Sequence, residues 1–232
     1  MGDVATTVTP KGLNVINEIG FILPYYIANY KGGRNECFMF GVDRDQNWYD
    51  YDLSSAYTTI MSMAGHPEYE SSRRLSVAEL KSLRKEEILY SYLIIHADFE
   101  FPIDTKYPSI PCYVDENCTV YPLKGNCVIT GAEYLLALNQ KCVIKIKDIF
   151  LTPFKSSEYN EHKPFAAILK TVQDLRREYP KGTISNMMYK EIGNSIYGSV
   201  VRGIGNKRKY DIRSKGTIRM IGDSLTNPLI AS

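Results

Sequence analysis

The chain has 232 residues, 44% of them hydrophobic, and a formal net charge of +2, which excludes a disordered tail and a global polycation and leaves room for one large or two small cored domains. Five cysteines, without a C-x-x-C, and three scattered histidines exclude a structural zinc site of ordinary spacing and fit a reducing compartment such as the cytoplasm. No apolar run approaches the length of a membrane span, so no membrane partner is expected.

In chain order, residues 13–29 read as a helix or kinked helix, followed by the glycine turn YKGGR at 30–34. NECFMFG (35–41) and WYDYDLS (48–54) alternate as strands, and SAYTTIMSMAG then takes up helical periodicity, with Ser54 and Ser55 suited to capping. SVAE (76–79) and TGAE (130–133) have the form of capping boxes. ILYSYLIIHADFEF, CTVYPL and CVIKIKDIF read as strands, and TKYPSIPCY as an extended connection. Residues 164–179 and 184–200 read as two helices joined by the PKG turn, hence antiparallel neighbours that bring Arg176, Arg177 and Lys181 toward Lys190. A last helix is expected from about Thr217.

Two places carry chemistry. Asp52 stands just before a helix start, where a carboxylate holds a divalent metal and the unsatisfied N–H groups of the first turn receive phosphate oxygens. Asp50 shares its side of the strand but lies about 6.6 Å along, too far for the two carboxylates to bridge metals about 4 Å apart. Far downstream, KEIGNSIYGS places Lys190, Asn194 and Tyr197 on one helical face, because positions i, i+4 and i+7 fall nearly in line. From Lys190 to Arg219 there are eight Lys/Arg against Glu191 and Asp211, a local basic excess that fits a phosphate-rich partner.

Together these stretches resemble the family B DNA polymerases. The first polymerase motif, D-x-x-S-L-Y-P, reads Asp52-Leu53-Ser54-Ser55-Ala56-Tyr57-Thr58, with Ala56 for the usual leucine and Thr58 for the usual proline. The second, K-x-x-x-N-S-x-Y-G, is matched at every fixed position by Lys190, Asn194, Ser195, Tyr197 and Gly198. YKGGR resembles the Y-x-G-G element of the protein-primed branch found in phages, viruses and linear plasmids.

The resemblance implies an α+β fold: a polymerase palm, with an antiparallel sheet and packed helices, plus a two-helix antiparallel fingers module. It implies that Asp52 and the Leu53 carbonyl hold magnesium at a two-metal site, that Ser54, Ser55 and Ala56 present backbone N–H groups to the triphosphate, and that Tyr57 lies under the sugar and excludes a 2′-hydroxyl. Lys190 would neutralise phosphates, assisted by Arg176, Arg177 or Lys181. Asn194 and Tyr197 would line the nucleotide pocket, and Gly198 would permit close approach. Tyr30, Gly32, Gly33 and Arg34 would meet the template strand. The implied partners are template and primer DNA, deoxynucleoside triphosphates and a terminal-protein primer.

The implied organisation is a connector to an upstream domain at 1–34, palm with the first motif at 35–64, palm and a terminal-protein-region-like insertion at 65–160, fingers at 161–200, and the start of a second palm segment at 201–232. The third motif, Y-x-D-T-D, which supplies the second shared carboxylate, does not occur; IGDSL (221–225) is a poor imitation of it. The expectation is therefore a truncated internal piece that does not polymerise alone. The alternative is a non-catalytic nucleic-acid- and nucleotide-binding remnant.

Overall fold

The computed structural model describes residues 20–31, 33–42, 47–53, 55–115, 118–155, 163–200, 207–211 and 216–220. Helices α1 (Leu23–Asn29) and α2 (Ala56–Met63) precede strand β1 (Arg73–Arg74) and the short helices α3 (Val77–Ser82) and α4 (Lys85–Leu89). Next come β2 (Ser91–Glu100), β3 (Cys112–Asp115), β4 (Cys118–Val120), β5 (Lys124–Thr130), α5 (Gly131–Asn139) and β6 (Val143–Pro153). The antiparallel helices α6 (Ala166–Arg177) and α7 (Ile184–Val200) are followed by the hairpin β7 (Lys207–Asp211) and β8 (Gly216–Met220).

One four-stranded antiparallel sheet, ordered β1-β6-β2-β5, organises the fold. Its core follows from alternation along β2. Leu93, Ile95, Ala97 and Phe99 point to one face and bury against Leu80, Ile88 and Ala137 of the helices packed there. On the other face Ile94 and Phe150 pack on Ile22 and Tyr26, while His96, Asp98 and Glu100 on that side are progressively more exposed. Polar pairs occupy the uncovered part: Asp98 accepts from Lys147 Nζ at 2.7 Å and from Asn126 Nδ2 at 2.8 Å. Ile95 is fully buried on a central strand, so Ile95→Ala is expected to lower unfolding free energy by about 3 kcal/mol, read as a reduced urea midpoint with unchanged m-value.

Both expected capping boxes are formed. Glu79 N–H donates to Ser76 Oγ at 3.2 Å and Ser76 N–H to Glu79 Oε2 at 2.7 Å; Thr130 and Glu133 repeat the pattern at 3.2 and 2.7 Å. Each satisfies two donors that a bare helix start leaves open.

Three local expectations need correction. Residues 35–41 and 48–53 run through irregular backbone without joining a ladder, and Phe38, Met39, Phe40, Trp48, Tyr49 and Tyr51 are exposed. Alternation marks a residue's side of a strand, but a strand also needs a partner for its N–H and C=O groups, and the described residues supply none here. The helix expected from Thr217 is instead β8, paired with β7 from Lys207↔Met220 to Asp211↔Gly216. Thr217 and Ile218 are β-branched and favour the pleated backbone. The N-terminal helix occupies only Leu23–Asn29 of its described part, with Pro24 in its first turn, where a missing N–H costs nothing. Residues 13–19, Gly32, Ser54 and IGDSL at 221–225 lie outside the described residues.

Candidate functional site

α2 sits against the α6/α7 pair, with Met61 and Leu169 buried among Phe165, Ile196 and Tyr197. Gly193 makes the approach possible: a Cβ there would lie 3.3 Å from Thr58 Cγ2, a spacing that the neighbour would have to yield to accommodate. Gly198 has open space beside it, and where α7 packs on α2 the glycine of close approach is Gly193, one residue before Asn194.

At the start of α2, Ser55 is the N-cap residue with φ 59° and ψ 32°, the left-handed region that a non-glycine residue seldom occupies. Its side chain makes no capping bond. Instead its Oγ accepts from Arg176 Nη1 at 3.3 Å, which ties α6 to the entry of α2. The capping expected of Ser55 is thereby corrected: among the described residues no side chain caps the first-turn N–H groups of α2, the condition under which a helix start receives an anion.

The α6/α7 turn is locked by a residue absent from the sequence-based candidates. Asn186, 8% exposed, donates from Nδ2 to the carbonyls of Arg176 and Tyr179, both at 3.0 Å, and accepts no role in the motif. These bonds satisfy carbonyls at the end of α6 and hold its basic last turn against α7. An asparagine just past the PKGT turn is the only sequence trace of this lock. Arg177 is exposed and pairs with Asp174 at 3.0 Å, and Lys181 is exposed.

Two adjoining cavities result. One of about 110 Å³ is lined by Asp52, Ser55, Arg176, Lys190 and Asn194, among others. The other, about 440 Å³, is lined by Ser55, Thr59, Arg176, Arg177, Lys181 and Asn186. The first thus brings Asp52 and Lys190 to one cleft although they are far apart in sequence. The second extends it along three cations. Leu53 is exposed next to Asp52 and is not among the lining residues of either cavity.

Tyr57 and Tyr197 stack, with ring centroids 4.8 Å apart and planes at 28°. Tyr30 lies beside Tyr197, and burial, with smaller contributions from Tyr30 and Tyr57, pushes the Tyr197 phenol above the ordinary tyrosine range. Gly33 closes the group: a Cβ there would stand 2.8 Å from the Tyr57 hydroxyl. Tyr30, Gly33, Tyr57 and Tyr197, drawn from three separate motifs, therefore form one cluster. Asn194 and Lys190 face the cleft from the same side of α7, as the i, i+4, i+7 spacing required.

Arg34 is differently engaged. Its guanidinium lies 3.9 Å from the Tyr121 ring centroid and donates to the Pro108 carbonyl at 3.0 Å and to Glu36. That combination fastens the irregular stretch after Gly33 to the segment between β2 and β5, and occupies the donors a template phosphate would use. Lys31, not among the candidates, donates to the Val128 carbonyl at 3.0 Å.

The donor set bears on magnesium. A carboxylate and a carbonyl are hard oxygen ligands of the kind magnesium accepts, and it commonly completes its shell with waters and substrate phosphates. Among the described residues no cluster of three or more His, Cys, Asp or Glu side chains is assembled, and Asp52 is the one carboxylate lining the cavity. The residues fit one such ion held jointly with a polyphosphate.

No family model matches the chain. It is 33% identical over 211 residues to the primer-independent DNA polymerase PolB of Escherichia coli, an alignment that takes in 88% of this chain and 23% of that enzyme. The chain therefore spans about a quarter of its relative's length. Its fold is similar to that of Phi29 DNA polymerase in an orthorhombic crystal form, with a TM-score of 0.50 at 13% identity over 95% of this chain and 42% of that one. Against Phi29 DNA polymerase complexed with primer-template DNA and incoming nucleotide, the TM-score is 0.46 at 14% identity over 78% of this chain and 32% of that one. At 13% identity the likeness to the orthorhombic form is one of fold.

Proposed function

We propose, from the premise that this chain belongs to the family B DNA polymerases, that it carries the nucleotide-binding cleft and the first metal ligand of a DNA-directed DNA polymerase that replicates DNA. The observation that carries the reading is the meeting of Asp52 and Lys190 at one cavity, floored by the start of α2 and continued by Arg176. On this reading residues 35–64 and 65–160 belong to the palm and its insertion, 161–200 are the fingers, and 1–34 and 201–232 connect to the rest of a longer polymerase acting in a host cytoplasm.

Each side chain then has a task. The Asp52 carboxylate and Leu53 carbonyl would hold magnesium, which when bound withdraws charge from phosphate oxygens. The N–H groups at Ser54, Ser55 and Ala56 receive the triphosphate at a helix start that has no side-chain cap. Lys190 and Arg176, with Arg177 and Lys181 farther out, offset its negative charge, and this positioning and neutralisation are most of what phosphoryl transfer asks of a protein. Tyr57, held flat against Tyr197, supports the sugar where a 2′-hydroxyl would collide. Asn194 and the open space beside Gly198 leave room for the base. Tyr30 and Gly33 place the template strand against this cluster, with Gly32 between them in sequence. Arg34 acts by fixing that segment.

The primer is supplied in one of two ways. The protein-primed reading starts synthesis on a terminal protein; the name of the Escherichia coli relative adds starting without a primer. Labelled products made on primer-free template, in a longer polymerase containing this chain, separate them: a free 5′ nucleotide end marks the second and a protein-linked end the first. In the same assay Tyr57→Val is expected to relax discrimination against ribonucleotides by about a hundredfold in kcat/KM, the scale set by losing a steric contact with one hydroxyl. Unchanged discrimination would remove Tyr57 from the sugar site.

A single carboxylate at the cleft also favours a second reading, a nucleic-acid- and nucleotide-binding unit without chemistry of its own. It predicts salt-sensitive DNA binding indifferent to Asp52→Asn.

A further inference from the structure

Away from the cleft, two cysteines meet where the segment entering β3 crosses β5. Cys127 Sγ lies 2.8 Å from the Pro111 carbonyl oxygen, and Cys112 Sγ 4.0 Å from the Asn126 carbonyl oxygen, so residues 111–112 and 126–127 contact each other reciprocally. The two thiols are close enough to bear on each other's ionisation, and both are partly exposed. Cys37 and Cys118 are exposed without such a neighbour among the described cysteines, and Cys142 is buried. The position is pointed. Lys31 donates to the carbonyl of Val128, beside Cys127, and Tyr113, beside Cys112, donates to the Tyr30 carbonyl at 2.7 Å.

We propose that Cys112 and Cys127 are a dithiol modification site, closed to an intramolecular disulfide by a low-molecular-weight disulfide such as oxidised glutathione. Cys127 is the attacking sulfur: the neighbouring Cys112, followed by the Lys31 ammonium, holds its thiol below the ordinary cysteine range. Its 2.8 Å contact with the Pro111 oxygen is one that only the protonated form uses, so ionisation releases that contact. The Cys127 thiolate attacks one glutathione sulfur, breaking the glutathione S–S bond and expelling a glutathione thiolate. The Cys112 sulfur, giving up its proton, then attacks the Cys127 sulfur and expels the second glutathione thiolate. Two protein thiols are oxidised, one glutathione disulfide is reduced to two thiols, and the two protein protons end on glutathione. Transient disulfides of this kind are the form compatible with a reducing compartment. Closing the bond pins Tyr113 against Tyr30 and removes the sulfur charge that Lys31 faces.

The test needs no polymerase assay and so stands apart from the functional reading above. The 232-residue chain, carrying Cys118→Ser so that the peptides are unambiguous, is incubated with oxidised glutathione, quenched in acid and mapped without reduction. The expected product is lighter by two hydrogen atoms, joins the Cys112 peptide to the Cys127 peptide, and reopens with dithiothreitol. Adding Cys112→Ser should trap Cys127 as a stable glutathione adduct. Separate glutathione adducts on Cys112 and Cys127 of the Cys118→Ser chain, or alkylation of Cys127 no faster than that of Cys37 before oxidation, would overturn the proposal.

Discussion

Substituting Asp52 by Asn is expected to weaken deoxynucleotide binding in magnesium by about a hundredfold while leaving binding in EDTA unchanged, the scale of losing one anionic ligand to a metal worth several kcal/mol. The amide keeps the shape of the carboxylate and its place in the cleft, so folding is not at issue: Asp52 is exposed and lies outside every regular element. Only the charge that attracts a divalent ion is lost. Isothermal titration of the chain with a deoxynucleoside triphosphate, with and without magnesium, reads the difference directly. If the substituted chain retains the magnesium effect in full, Asp52 does not hold the ion, and the binding-unit reading takes precedence.

The second large effect is expected at Lys190. Lys190→Ala should weaken triphosphate binding by about thirtyfold, as losing a charge-assisted hydrogen bond worth about 2 kcal/mol implies, and should weaken nucleoside binding hardly at all. The contrast matters because a merely damaged helix would lower both. Lys190 is exposed on the face of α7 that meets the cleft, and the packing of α7 rests on Gly193, Ile196 and Tyr197 instead. Lys190→Arg should recover much of the loss, since a cation remains, though with a broader head on a different stem. Equal losses for nucleoside and triphosphate would assign Lys190 to the fold.

The parts of this molecule legible in its sequence are those that local chemistry decides. Ser76 with Glu79 and Thr130 with Glu133 announce helix starts because the bonds run within four residues. The alternation from Leu93 to Phe99 announces a half-buried strand for the same reason. The fixed residues of the two polymerase-like motifs placed Asp52 and Lys190 as candidates for one site, and the fold brings both to one cavity.

What stayed hidden depends on partners distant in sequence. Residues 35–41 look like a strand but have no ladder partner among those described, and Thr217 and Ile218 become a strand because Lys209 and Tyr210 pair with them. Arg34 looks like a free cation until Tyr121, Pro108 and Glu36 are seen around it. Asn186 resembles any turn asparagine until its two carbonyl partners at the end of α6 are known. Cys112 and Cys127 are unremarkable at their spacing and become a pair only through the crossing of β5 by the segment before β3.

The convergence of a metal-binding carboxylate and a phosphate-binding lysine on one nucleotide is tested most directly by diffraction from crystals soaked with manganese and a non-hydrolysable deoxynucleoside triphosphate. The account predicts an anomalous manganese peak at the Asp52 carboxylate, with the triphosphate lying at the start of α2 and reaching Lys190 of α7. A triphosphate bound elsewhere, or manganese bound away from Asp52, would contradict it.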